Sequence, residues 1–377
     1  MLYYLYSFFA DPAGPLSGVD ELSFLRLFRF VTFRAAGAAA MAFAIMMVCS
    51  PWFVRFLKML NATGRGRDPG RENLDEGVPT MGGLLIIMAV VNSIFLWARW
   101  DNGLVSVFAV LLISLGVVGF VDDFLKVHKA DISGLAGRWK LVAQVVIGCL
   151  AVYALDRLPE AGAHVQQLYM PFFKQPIWSM PLWVAVIFGA IVVTGSSNAV
   201  NLTDGKDGLA IGCTVICTAA YGVFAYVCGH RLFAEHLLVP HVAGASEVVV
   251  IVGAIMGAGL GFLWFNCFPA SMYMGDTGSL ALGGAVGLIA VLVKQELLLV
   301  VVGGVFVIEA MSVILQVICS QLSRRILKVD YRPFRCTPYH HHLDRGDHKW
   351  ADTQIVIRFW IVALLCAAIG IATLKLR

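Results

Sequence analysis

The chain has 377 residues, of which 59% are hydrophobic and only 14% charged, with a mean hydropathy of +0.80. Soluble globular proteins average about 45–50% apolar and about 25% charged residues, so a soluble domain is excluded and an all-α, polytopic integral membrane protein is expected. The net charge of +4 is too small and too dispersed for a nucleic-acid partner, which requires a concentrated basic stripe.

In chain order, the opening run Leu2 to Ala10 is short for a membrane span and lacks the basic start of a signal peptide. Hydropathy then places ten spans, at about 34–57, 81–98, 104–121, 139–156, 181–197, 208–228, 247–265, 278–293, 298–321 and 355–374. Residues 1–377 therefore read as one membrane-embedded domain. An even number of spans puts both termini on one side. The connections 1/2, 3/4, 5/6, 7/8 and 9/10 hold the larger share of lysine and arginine, with Arg324, Arg325, Lys328, Arg332, Arg335, Arg345 and Lys349 in the last of them. By the positive-inside rule this set is cytoplasmic and both termini are external, on the periplasmic side. Arg26, Arg29 and Arg34 stand on the opposite side and count against that vote. Nine cysteines, most of them in apolar runs and none in a CxxC pair, read as packing residues. The small-xxx-small series Gly253, Gly257, Gly261 and the pair Gly283, Gly287 read as close helix contacts.

The polar clusters fall beside the cytoplasmic connections. Pro79-Thr80-Met81-Gly82-Gly83 opens the second span, and Asp122 and Asp123 end the third. Neighbouring helical residues point about 100° apart, so these two carboxylates should have different roles. Asn198, Asn201, Asp204 and Asp207 recur every third residue and should fall near one edge, a row suited to hydroxyl and base recognition or to magnesium. Asp276, between Gly275 and Gly278, opens the eighth span, where it could cap the helix or hold a metal beside a bound anion. His340, His341 and His342 stand next to Arg332 and Arg335; their side chains diverge, so they read as phosphate donors and not as one metal site. Glu309, inside the ninth span, ranks second because it lies several turns from the cytoplasmic connections. Carboxylates for Mg²⁺ with lysine, histidine and arginine for phosphate oxygens, all at one membrane face, suit phosphoryl transfer from a soluble nucleotide to a lipid.

Pro79-Thr-Met-Gly-Gly, Asp122-Asp-Phe-Leu-Lys, Asn198-Ala-Val-Asn-Leu-Thr-Asp-Gly-Lys-Asp-Gly-Leu-Ala, Met274-Gly-Asp-Thr-Gly-Ser and the histidine triplet closely resemble the bacterial phospho-N-acetylmuramoyl-pentapeptide transferases, in the right order over nearly the whole chain. The resemblance implies a ten-helix enzyme of the bacterial inner membrane, usually a homodimer, with its active site on the cytoplasmic face. Such enzymes pass phospho-MurNAc-pentapeptide from UDP-MurNAc-pentapeptide to undecaprenyl phosphate, giving lipid I and UMP with Mg²⁺, the first membrane step of peptidoglycan synthesis. By motif position, Asp276 resembles the magnesium ligand and Asp122 and Asp123 the essential pair, with Asp122 the better candidate base. Thr80, Asn198, Asn201, Asp204, Asp207, Asn266 and Ser279 would bind the nucleotide-sugar. His340, with a catalytic role, and His341 and His342 would approach from the 9/10 connection, and Lys126 and Lys140 would hold phosphate or uridine. One departure stands out: the family usually has a basic residue where this chain has Asp75-Glu76-Gly77, and Arg71 is the candidate substitute. A sister group that transfers GlcNAc-1-phosphate shares the aspartate motifs but typically breaks the histidine run. A proton-coupled transporter would suit Glu309, yet transporters show paired repeats and a midplane site, neither of which is visible here.

Overall fold

The computed structural model describes residues 1–9, 20–60, 62, 77–128, 134–326, 328–345 and 349–375. Arg71, Asp75 and Glu76 lie outside the described residues. Ten principal helices form the bundle: α1 (Val31–Met59), α2 (Gly83–Trp97), α3 (Gly103–His128), α4 (Gly137–Asp156), α5 (Leu182–Thr203), α6 (Leu209–Gly229), α7 (Ser246–Asn266), α8 (Gly275–Leu292), α9 (Gly304–Ile326) and α10 (Asp352–Ala372). The sheet content among the described residues is one two-residue ribbon pairing Gln167–Leu168 with Trp178–Ser179. The protein is thus an all-α, polytopic membrane protein.

Among the described residues, nine helices are long and apolar enough to cross a membrane, and α2, with 15 residues, is a shorter apolar helix. The second span is therefore shorter than expected. Its start is held back because the preceding backbone is engaged elsewhere: Gly82 and Gly83 donate to the carbonyls of Tyr273 and Met274, and Tyr273 N–H donates to Pro79 O. At its other end Ala98 turns to extended backbone. The ninth span also departs from expectation. The anticipated 298–321 helix is broken at Gly303 into a short turn, Leu299–Val302, and α9 proper, which runs on to Ile326. Two consecutive glycines weaken a helix at that point.

Helix α8 is buried along its whole length and packs against α2, α3, α5 and α6. Helices can approach so closely only where small residues face the contact. The expected stripe meets that condition. A Cβ at Gly257 would lie 2.0 Å from Ala39 O on α1, and Gly283 and Gly287 face α5 in the same way. Arg34, which opposed the charge vote, is buried, and its guanidinium donates to both oxygens of Glu247 at 2.6 and 2.5 Å. Its charge is cancelled inside the protein. None of the nine cysteines forms a disulfide.

Candidate active site

The site is built where α3 ends and α8 begins. A helix start leaves backbone N–H groups without intrahelical partners. In α8 these are met by a side chain from another helix: Asp123 accepts from Asp276 N at 3.1 Å, from Thr277 N at 2.9 Å and from Thr277 Oγ1 at 2.7 Å. Asp123 therefore caps α8. That leaves Asp276, one residue into the helix, free of the capping role that its position suggested. Gly275 adopts a left-handed φ of +74°, and a Cβ there would lie 2.5 Å from the Asp123 carboxylate and 3.1 Å from Thr80 Oγ1. Thr80 is thereby placed at the rim of the same cluster.

Asp276 is the electrostatic centre. Lys126, from the last turn of α3, and Lys140, from the first turn of α4, both donate to its Oδ2, at 2.7 and 2.6 Å. Asn201 Nδ2 donates to its Oδ1 at 2.7 Å and to Ser279 Oγ at 2.8 Å. Asp122 accepts from Leu135 N at 2.7 Å and pairs with Lys126 at 2.5 Å. As adjacent positions on a helix should, Asp122 and Asp123 serve different partners. Even so, one oxygen from each of Asp122, Asp123 and Asp276 lies within 4.8 Å of the others. Clustered carboxylate oxygens are what a hard divalent cation takes as ligands, so the donor set fits a metal ion. Asp123 is used by three N–H and O–H donors, Asp276 by two lysines and Asn201, and Asp122 by Leu135 N and Lys126, so protein cations and amides hold the oxygens that a metal would take.

The two aspartates should accordingly respond differently to substitution. Asp123→Asn turns an amide NH2 towards one of the N–H groups of α8, leaving a buried donor without an acceptor, and is expected to lower stability by about 1–3 kcal/mol. Asp122→Asn leaves that cap intact. Thermal unfolding in detergent, compared with activity, should show the Tm falling more for Asp123→Asn.

The row Asn198, Asn201, Asp204, Asp207 does not share one edge, because α5 ends at Thr203 and only the first two are helical. Asn201 reaches Asp276. Asn198 turns to α4, donating to Gln144 Oε1 at 2.5 Å and to Thr194 O at 2.9 Å. Asp204 closes the helix, and Asp207, beyond the turn, accepts from Ala270 N at 3.1 Å. Asn266 spends its amide on backbone, accepting from Gly208 N at 3.0 Å and donating to Met272 O at 2.9 Å.

The histidines lie on a short helix, Tyr339–Arg345, and go three separate ways. His340 is fully buried; its Nδ1 lies 3.1 Å from Glu309 Oε2, and its backbone N–H donates to Oε1 at 3.2 Å. Its Nε2 faces Gly205 and has no hydrogen-bond partner among the described residues. Glu309 is thus a paired carboxylate, because the 9/10 connection folds back along α9 and brings His340 onto it. His341 lies 3.4 Å from Asp344, and burial, aided by the charges of His340 and Lys206, pushes its imidazole down to about 4, leaving it neutral at physiological pH. His342 stacks on Tyr339 and accepts from Arg335 N at 3.3 Å. Lys206 was not expected from the sequence: it is a buried lysine paired with Asp344 and, at 2.9 Å, with Asp352. It ties the α5–α6 turn to the histidine helix. Its signal was a lysine between two glycine-aspartate pairs, overlooked because loop lysines are usually solvated.

With this geometry in place, comparison with known proteins identifies the lineage. The family described as Glycosyl transferase family 4 matches residues 104–294, the stretch that holds the three aspartates. A protein of Rhodopseudomonas palustris strain BisB18 named phospho-N-acetylmuramoyl-pentapeptide-transferase is 43% identical over 381 residues, covering 100% of both chains. The chain belongs to the phospho-N-acetylmuramoyl-pentapeptide-transferase family. A second relative of the same name, from strain BisA53, is 42% identical over 380 residues, again covering 100% of both chains. Within the family scaffold, this chain places Asp122, Asp123, Asp276, Lys126, Lys140, Asn201, Ser279 and Thr80 together. Asn198 and Asn266 are committed to helix and loop packing, and His340 is held on Glu309.

Proposed function

We propose that this protein transfers phospho-MurNAc-pentapeptide from UDP-MurNAc-pentapeptide to undecaprenyl phosphate, forming lipid I and UMP at the cytoplasmic face of the bacterial inner membrane. Its one domain spans residues 1–377, with both termini external, and works as a homodimer. The observation that carries the reading is the convergence of three carboxylates with two lysines at one end of the bundle, in a chain of this family.

One oxygen of the lipid phosphate attacks the sugar-linked phosphorus, the diphosphate P–O bond breaks, and UMP leaves. Mg²⁺, held by Asp276, would supply positive charge between the two phosphorylated reactants. Lys126 and Lys140 supply more, at the points where their ammonium groups now meet Asp276. Asp122 takes the proton of the lipid phosphate. The two lysines and Asn201 draw charge from the Asp276 carboxylate and lower its nucleophilicity, as a bound cation also would, which supports direct displacement over prior attack by this carboxylate.

The test is UMP release from UDP-MurNAc-pentapeptide with undecaprenyl phosphate, before and after chelation. Metal-dependent release is expected, with UDP-GlcNAc inert as donor. Equal turnover of UDP-GlcNAc would assign the sister activity, and undiminished release in chelator would remove the metal from the mechanism.

A further inference from the structure

Helix α4, whose first turn brings Lys140 to Asp276, is packed unevenly along the rest of its length. Against α5 the contact is close: a Cβ at Gly148 would lie 3.1 Å from Ala190 Cα, and one at Gly189 would lie 2.7 Å from Val152 Cγ2. Against α3 the helix leaves a groove of about 350 Å³, lined chiefly by Ser106, Val110, Ser114, Ile147, Leu150 and Ala154. The two serines and the alanine are too small to close the gap. Val110 and Leu150, 64% and 63% exposed, form its rims, so it opens sideways out of the bundle.

The groove lies in the half of the bundle away from the aspartates. It begins one turn into α3, which starts at Gly103, and reaches the last turn of α4, which stops at Asp156. From Ser106 to Ser114 it runs roughly 12 Å, at about 1.5 Å per residue, within a hydrocarbon layer about 30 Å thick. A second transmembrane helix needs the whole thickness to seat. One acyl chain of a single leaflet does not.

A cation stands at its open end. Leu150, Tyr153, Ala154 and Arg157 are spaced i, i+3, i+4 and i+7 and so form one stripe of α4. Arg157 lies over the Tyr153 ring, 4.9 Å from its centroid, and donates to the Tyr153 hydroxyl at 2.9 Å. Among the described residues no carboxylate pairs with this guanidinium. Tyr153 and, in the first turn of α5, Trp183 are exposed aromatics at the same end, as expected where a span meets the head groups. An apolar slot one leaflet deep with a guanidinium above it matches a lipid that carries an acyl chain below a phosphate. We propose that the α3–α4 groove binds one anionic glycerophospholipid of the leaflet opposite the aspartates, its acyl chain along Ser106–Ser114 and its phosphate on Arg157. The bound chain fills the gap beside α4 and braces the helix whose other end holds Lys140. The site does not depend on which group the protein transfers.

The delipidated full chain in neutral detergent is titrated with dioleoylphosphatidylglycerol, with dioleoylphosphatidylcholine and with inorganic phosphate. Native mass spectrometry counts the bound lipids, and the Tm is followed in parallel. Phosphatidylglycerol is expected to fill one site about fivefold more tightly than phosphatidylcholine, the upper range for a charge pair open to solvent, and to raise the Tm. Arg157→Gln should remove that preference and Arg157→Lys should keep part of it. Ala154→Phe, which fills the slot, should abolish saturable binding of both lipids. Equal binding of the two lipids by the wild type, a preference retained in Arg157→Gln, or unchanged binding in Ala154→Phe overturns the site. Stabilisation by inorganic phosphate equal to that by phosphatidylglycerol would reduce it to a small-anion contact. A dimer that dissociates in Ala154→Phe while lipid binding persists would give the groove to a second copy. The wild-type comparison decides even where a variant fails to fold.

Discussion

Asp276→Asn is expected to lower UMP release about 10³-fold at saturating substrates, the scale on which one preorganised electrostatic group acts. The substitution is nearly isosteric, so α8 and its cap by Asp123 remain. What changes is charge. Lys126 and Lys140 lose the acceptor that both share, and the cluster of three carboxylates loses one of its charges. The loss should appear in kcat with an unchanged melting temperature, and the half-saturating metal concentration should rise. A variant with wild-type kcat would remove Asp276 from the chemistry.

Gly83→Val should be as damaging by a different route. A Cβ at Gly83 would lie 2.0 Å from Gly278 N and 2.3 Å from its Cα, and both partners are backbone. Neither can rotate away, so α2 and α8 must part. Overpacking of this kind typically costs about 1–3 kcal/mol. Here the first turn of α8 also carries Asp276, so displacement by a fraction of an ångström misplaces the aspartate against both lysines. Lower Tm and lower activity are expected together, unlike the pure kinetic loss of Asp276→Asn. Gly137→Val is the control, since among the described residues no packing partner stands within 4 Å of the position its Cβ would take. A Gly83→Val protein with normal Tm and rate would show that the two helices are not locked at this point.

Much of this architecture was legible in the chain because membrane burial writes itself as long apolar runs. Asp122, Asp123 and Asp276 could be found because carboxylates beside such runs are costly unless they serve a site. Their division of labour was less visible. Asp276 sits where a cap is ordinarily sought, yet the cap comes from α3, some 150 positions earlier, and no local pattern reports a partner so distant. Asn198 and Asn201 look equivalent in sequence, but three residues of helix turn one toward Gln144 and the other toward Asp276. The partner of Glu309 was hidden for the same reason: its depth along α9 is readable, whereas the folding back of the 9/10 connection, which seats His340 on it, is a tertiary event. The break at Gly303 was overlooked because hydropathy averages across a glycine pair.

Helices α2 and α8 are the shortest in the bundle, with 15 and 18 residues, and they meet at Gly83 and Gly278 beside the aspartates. At about 1.5 Å per residue, α2 covers roughly 22 Å of a hydrocarbon layer about 30 Å thick. A helix of that length falls several ångströms short of a full crossing, and the backbone before it is drawn onto Tyr273 and Met274 beside the aspartates. On the proposed reaction, that shortfall would spare an oil-bound phosphate and a dissolved nucleotide a change of solvent when they meet there.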